Sequence, residues 1–182
     1  MTLLDTLKVN EKSARLLVDK FDGTVSDSDG DFHLRNTNRI DVAQVMAEEY
    51  LNSSNIVYKN IGFDSKNDRI PSQIWFKVPE FLRCMPDMFI VVKNQFNFLE
   101  IKGCTESAKF KIDDLNQYNL WNGVAPVLFF IYSNTLDERF VMRLQDVWNM
   151  IDVGEIHKYN DNNKKYLELP CTLLNDFKRK KK

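Results

Sequence analysis

The chain has 182 residues, 43% of them hydrophobic and 28% charged, which suits one domain with a sizeable core and excludes a disordered, low-complexity chain. Its 25 basic and 26 acidic residues leave a formal net charge of −1, so no overall basic field advertises a polyanionic partner. No apolar run approaches the ~20 residues that span a bilayer, and Met1-Thr2-Leu3-Leu4-Asp5 lacks the basic start and apolar stretch of a signal peptide. These features predict an intracellular, cytoplasmic protein with no membrane partner. Three cysteines, Cys84, Cys104 and Cys171, lie far apart without a CxxC pair and read as free thiols. With only two histidines, His33 and His157, any metal would be held mainly by oxygen.

Residues 11 to 21 predict an extra N-terminal helix, with Ala14, Leu17, Val18 and Phe21 on one face. Residues 24 to 35 alternate loosely around a turn at Asp29-Gly30. Asp27, Asp29 and Asp31 do not make a calcium loop, because the glycine comes one residue early and no closing Glu follows. Residues 40 to 51 predict a helix with Val42, Val45, Met46 and Glu49 on its apolar stripe and Asp41, Gln44 and Glu48 on a neighbouring polar one. Residues 56 to 63 and 73 to 78 read as strands, the second bracketed by Pro71 and Pro79.

Residues 88 to 92 (MFIVV) and 96 to 101 (FNFLEI) predict a hairpin through a turn at Lys93-Asn94-Gln95, with Gly103 ending the second strand. Residues 112 to 122 predict a helix closed by Gly123, and 127 to 132 (VLFFIY) a buried strand. A helix is expected over 137 to 151, lined by Phe140, Leu144, Val147 and Ile151, and a closing hairpin over 155 to 169. The fold class is α/β: helices packed on a mixed sheet, in a single domain over 1–177 with a core at about 40–132. Lys178-Arg179-Lys180-Lys181-Lys182 forms a basic tail. It reads either as a solvated tail or as a sequence-independent phosphate contact.

The chemistry concentrates on the central hairpin. Pro86-Asp87 starts its first strand and Glu100-Ile101-Lys102 ends its second. In an antiparallel pair these ends are neighbours, so the two carboxylates meet at one edge of the sheet. Close carboxylates repel unless a cation or proton lies between them, and a hard divalent cation fits an all-oxygen site. The Ile101 carbonyl is a further candidate ligand. Glu100 and Lys102 share one side of the strand. The lysine therefore sits where it would orient an attacking water and stabilise charge on a phosphoryl transition state.

This arrangement resembles the PD-(D/E)xK nuclease superfamily, with its restriction-endonuclease-like fold, over roughly residues 40 to 132. Pro86, Asp87, Glu100 and Lys102 match the family signature as they stand. The stretch PDMFIVVKNQFNFLEIKGC looks most like the branches of virus-type replication-repair nucleases and Holliday junction resolvases. The resemblance implies an α-β-β-β-α-β core, Mg²⁺ or Mn²⁺ as cofactor, and hydrolysis of phosphodiester bonds in DNA. RNA cleavage and a non-catalytic nucleic-acid-binding or assembly module on the same fold are the alternatives. It also implies a Gln on the helix after the motif, a place Gln117 fills. One turn on, Trp121 stands where exonuclease-like branches commonly carry Tyr. An acid from the first core helix is usual, and here Gln44 aligns with it while Glu48 lies one turn on. Resolvases of this fold are commonly dimers, so a homodimer is a possible assembly. Lys109 and Lys111 are candidate backbone contacts or loop cations, and Lys178, Arg179 and Lys180 of the tail are candidate phosphate contacts. Trp121 fits a core position better than a stacking platform, and His33 fits solvent better than a metal site.

Overall fold

The computed structural model describes residues 42–62, 77–160 and 163–180, which from Ala43 on form one compact unit. The helix expected at 11 to 21, the turn at Asp29-Gly30 with its three aspartates, His33, Asp41, most of the strand expected at 73 to 78, and Lys181 and Lys182 lie outside the described residues. In chain order the elements are α1 (Val42–Ser53), β1 (Val57–Asn60), α2 (Glu80–Arg83), β2 (Met88–Val92), β3 (Gln95–Cys104), β4 (Ser107–Lys111) and α3 (Ile112–Asn122). They continue with β5 (Val127–Ser133), β6 (Glu138–Arg143), α4 (Leu144–Trp148), β7 (Glu155–Lys158), β8 (Lys165–Pro170) and α5 (Cys171–Lys180). Among the described residues no helix is long and apolar enough to cross a membrane.

Five strands form a mixed sheet in the order β1-β2-β3-β5-β6. The β3–β5 pair is parallel, and the other pairs are antiparallel. The β2–β3 hairpin turns through Lys93 and Asn94, both at positive φ (49° and 61°), the geometry of a tight two-residue turn. Helices cover both faces. On one, Phe98, Glu100 and Lys102 line up with Val127, Phe129 and Ile131 of β5. There α3 supplies Leu115, Tyr118 and Trp121, with the Tyr118 and Phe129 rings 5.6 Å apart and Phe98 edge-on to Trp121 at 5.3 Å. On the other face α1 packs, with Tyr50 5.8 Å from Phe130. Because β3 is central and covered on both sides, Asn97, Phe98, Leu99 and Glu100 are all buried.

Several sequence expectations differ from the structure. The buried positions of α1 are Ala43, Ala47 and Leu51, not the stripe through Val42, Val45 and Met46. Small residues let the helix approach the sheet closely: a Cβ on Gly103 would stand 3.3 Å from that of Ala43. Gly103 itself does not end β3, which continues to Cys104. The expected helix over 137 to 151 is instead strand β6 followed by the short α4. Phe140 and Met142 point inward while Val141 is 47% exposed, and β6 pairs with β5 across a turn in which Asp137 has positive φ. The apolar spacing 140, 144, 147 imitates a helix because it runs through the junction of strand and helix.

A second, three-stranded sheet has the order β4-β8-β7. The hairpin expected at 155 to 169 is its β7–β8 pair. Residues 107 to 111, which include Lys109 and Lys111, are a strand rather than a loop: Ala108 and Phe110 are buried and the residues between them are not. The basic C-terminal residues Lys178, Arg179 and Lys180 complete α5, and Lys178 pairs with Glu138 at 3.3 Å.

Candidate active site

Asp87 is clamped by backbone on two sides. Its carbonyl accepts from the amides of Ile61 and Gly62, at 2.9 and 3.0 Å, in the segment leaving β1. Its Oδ2 accepts from the Ile101 amide of β3 at 2.7 Å. Gly62 is required by the closeness of this approach, since a Cβ there would lie 3.1 Å from the Asp87 Cα. The pairing Met88↔Leu99 brings the residue before β2 beside the Glu100–Ile101 end of β3. Asp87 and the Glu100-x-Lys102 stretch therefore meet at the edge where β2 begins.

Glu100 and Lys102 face α3. Lys102 Nζ donates to Glu100 Oε1 at 2.6 Å, with the two side chains 24% and 7% exposed. A carboxylate so buried needs donors, and the Tyr118 phenol is a second one. Burial pulls the Lys102 ammonium down. Glu100, with its charge and hydrogen bond, then Asp87 and Asp114 outweigh that pull, so the net shift is upward and the lysine is held as a cation. Burial, Glu100, Asp87 and Asp114 all push the Tyr118 phenol well above its ordinary value, which keeps it a hydrogen-bond donor.

Helix α3 therefore supplies part of the cluster. Asp114, in its first turn, acts on both Lys102 and Tyr118 and accepts a long contact of 3.8 Å from the Cys84 thiol. Burial, then Asp114 and Glu80, push that thiol up to about 11. Asp114 and Tyr118 escape a reading of the sequence alone. Tyr118 falls on the apolar stripe with Leu115, and an Asp in a first helical turn usually serves only the helix dipole. Their i, i+4 spacing on the first helix after the motif was the available signal. Gln117 is half-buried and lies one turn from Asp114 on the same helix face.

The oxygen donors that would hold a cation are the Asp87 and Glu100 carboxylates and the Ile101 carbonyl. In a strand the amide and carbonyl of one residue leave on the same edge. The Ile101 amide meets Asp87, so its carbonyl also leaves toward the β2 side, beyond the first residue of β2. Among the described residues no three His, Cys, Asp or Glu side chains group closely enough to enclose a metal ion. Two carboxylates and a carbonyl fit a Mg²⁺-type ion that keeps several waters and uses substrate phosphate as further ligand.

The remaining candidates lie around this cluster. Gln44 and Glu48 are hydrogen-bonded to each other at 2.7 Å on α1, which covers the sheet face opposite Glu100 and Lys102. Lys109 and Lys111 project from β4; Lys178 and Arg179 lie on α5, where Lys178 also stands 5.4 Å over the Phe140 ring. Trp121 is a core residue: it stacks on Phe81 at 4.3 Å and its indole donates to the Phe81 carbonyl at 3.2 Å.

No protein-family model matches the chain, and no curated protein matches it significantly. Among solved structures, a nuclease from a fusselovirus is similar at a TM-score of 0.42 and 10% sequence identity, over 82% of this chain and 88% of that one.

Proposed function

We propose that this chain is a metal-dependent nuclease of the PD-(D/E)xK type that hydrolyses phosphodiester bonds in DNA. The observation that carries the reading is the meeting of Asp87, Glu100 and Lys102 at one strand end, with a buried carboxylate beside a lysine held as a cation. Asp87, Glu100 and the Ile101 carbonyl would hold Mg²⁺ or Mn²⁺. When bound, that ion supplies Lewis acidity at the phosphoryl group and acidifies water. Lys102, as a cation, orients the attacking water and stabilises charge on the phosphoryl oxygens instead of accepting a proton. Tyr118 fixes the Glu100 carboxylate through its phenol, and Asp114 balances the lysine charge from the helix side.

The test is a cleavage panel of linear duplex, single strand, flap and four-way junction DNA, with RNA counterparts, in Mg²⁺, in Mn²⁺ and in chelator. Cleavage of DNA in either metal that stops in chelator is the expected result. Cleavage that persists in chelator, or no cleavage of any substrate in either metal, contradicts the reading. Cutting of RNA alone would retain the chemistry and move the substrate.

A further inference from the structure

The second sheet has one apolar and one polar face. Ala108, Phe110, Leu167 and Leu169 are buried on the first. The pairings Lys109↔Glu168, Lys111↔Tyr166 and His157↔Tyr166 put Lys109, Lys111, Tyr166 and His157 on the second. There the rings form a row: His157 lies 5.6 Å from Tyr166, Tyr166 lies 4.3 Å from Tyr159, and Lys109 Nζ stands 5.5 Å over the Tyr166 ring. Both tyrosines are only half-buried, and the exposed Lys158, Lys164 and Lys165 surround the hairpin end. Two acids share this face beside the row: Glu168 stands opposite Lys109 and 3.8 Å from His157, and Glu155 stands opposite Glu168. Glu155 is 3.1 Å from His157, and Glu168 accepts from the Ser107 hydroxyl. The ring row is also joined to the candidate active site. β4 follows β3 after two intervening residues, and Lys111 runs directly into α3, whose first turn carries Asp114. Burial raises the Tyr159 phenol, and among the charges acting on it are Lys109, Lys102 and Asp114, which places it within electrostatic reach of the cluster.

We propose that this face of the second sheet binds a single-stranded segment of the nucleic-acid substrate, with bases stacking on the His157–Tyr166–Tyr159 row and phosphates met by Lys109, Lys111 and the hairpin lysines. The proposal rests on the nuclease reading for its substrate and adds the strand state that the site admits. Tyrosine faces stack on bases whose own faces are open, which duplex DNA does not offer, and such stacking is indifferent to base identity. The lysines supply the sequence-independent charge that a phosphate backbone needs. Lys111 at the end of β4 leads into α3, the helix that carries Asp114 and Tyr118, so this face and the candidate cluster share one continuous stretch of chain.

The experiment is fluorescence anisotropy in chelator, where binding is read without cleavage. It uses a labelled oligothymidine of about a dozen nucleotides and a mixed-sequence duplex of the same length. Wild type is expected to bind the single strand at least about tenfold more tightly than the duplex. The double variant Tyr159→Ala/Tyr166→Ala should lose about tenfold or more in single-strand affinity, at about 1–3 kcal/mol per stacked base. Tyr159→Phe/Tyr166→Phe should retain it. Equal binding of single strand and duplex by wild type, or unchanged single-strand binding by a normally melting alanine variant, overturns the proposal. If the alanine variant does not fold, photocrosslinking of an iodouracil-substituted oligonucleotide to wild type decides. Adducts on His157, Tyr159 or Tyr166 support the strip, and adducts confined to other residues refute it. The two readings fail separately. Asp87→Ala should keep single-strand binding, and tyrosine-dependent binding without any cleavage would sink the nuclease reading while leaving the strip.

Discussion

Glu100 is a buried carboxylate with two donors, the Lys102 ammonium and the Tyr118 phenol, and each is tested by removing it. Tyr118→Phe keeps the ring against Phe129 but deletes the hydrogen bond to Glu100. A hydrogen bond to a charged group contributes about 1.5–3 kcal/mol, so the variant should remain folded, melt lower and cleave about tenfold more slowly. Full wild-type cleavage in Tyr118→Phe would remove the phenol from the mechanism. Cys84 yields a pH prediction. Its thiol titrates near 9.0 when unfolded and is pushed up to about 11 in the fold, by burial first and then by Asp114 and Glu80. Between those values the unfolded chain releases a proton that the folded chain keeps, so stability falls as pH rises from about 9 to 11. The urea midpoint of metal-free protein should therefore drop over that range, and drop less in Cys84→Ser. Identical pH dependence in the two proteins would contradict this.

Among elements, the segment leaving β1 and the β2–β3 hairpin decide where Asp87 stands. Gly62→Ala would put a Cβ 3.1 Å from the Asp87 Cα, which is backbone and cannot swing aside. The substitution should cost about 1–3 kcal/mol, as overpacking does, and reduce cleavage by more than its effect on stability explains. Wild-type values for both would show that Asp87 tolerates displacement. Lys93 occupies a left-handed turn position with φ of 49°. Lys93→Gly should relieve about 1 kcal/mol of strain and raise the melting temperature without altering cleavage; a lower melting temperature would contradict the turn geometry. The same elements show what is legible in sequence. Continuous apolar runs such as VLFFIY and the helix at 112 to 122 carry their own signal, and β5 and α3 occupy those positions. Short strands such as β4 and β6 do not, because each buries only two side chains; β4 also pairs with a strand distant in sequence, and the apolar spacing of β6 runs on into α4.

At the scale of the whole molecule, the five-stranded sheet is held between α1 and α3, and one of its faces is both core and candidate site. Phe129 is fully buried on that face beside Glu100 and touches Phe110 and Tyr118. Phe129→Ala should cost about 3–5 kcal/mol and be read as a lowered urea midpoint. The order of α1, β2, β3, α3 and β5 was legible because each is long or strongly apolar. The juxtaposition of Asp87 with Glu100-x-Lys102 was legible because hairpin pairing is local. The placement of Asp114, Tyr118 and the tyrosine row was not, because it depends on how α3 and the second sheet pack. The most direct test of the central claim is single-turnover DNA cleavage by wild type, Asp87→Ala and Lys102→Ala side by side in Mg²⁺, with all three shown to melt cooperatively. Cleavage by wild type, reduced about a hundredfold or more in each variant, is the predicted result; equal cleavage by all three would contradict the assignment of Asp87, Glu100 and Lys102 as the catalytic core.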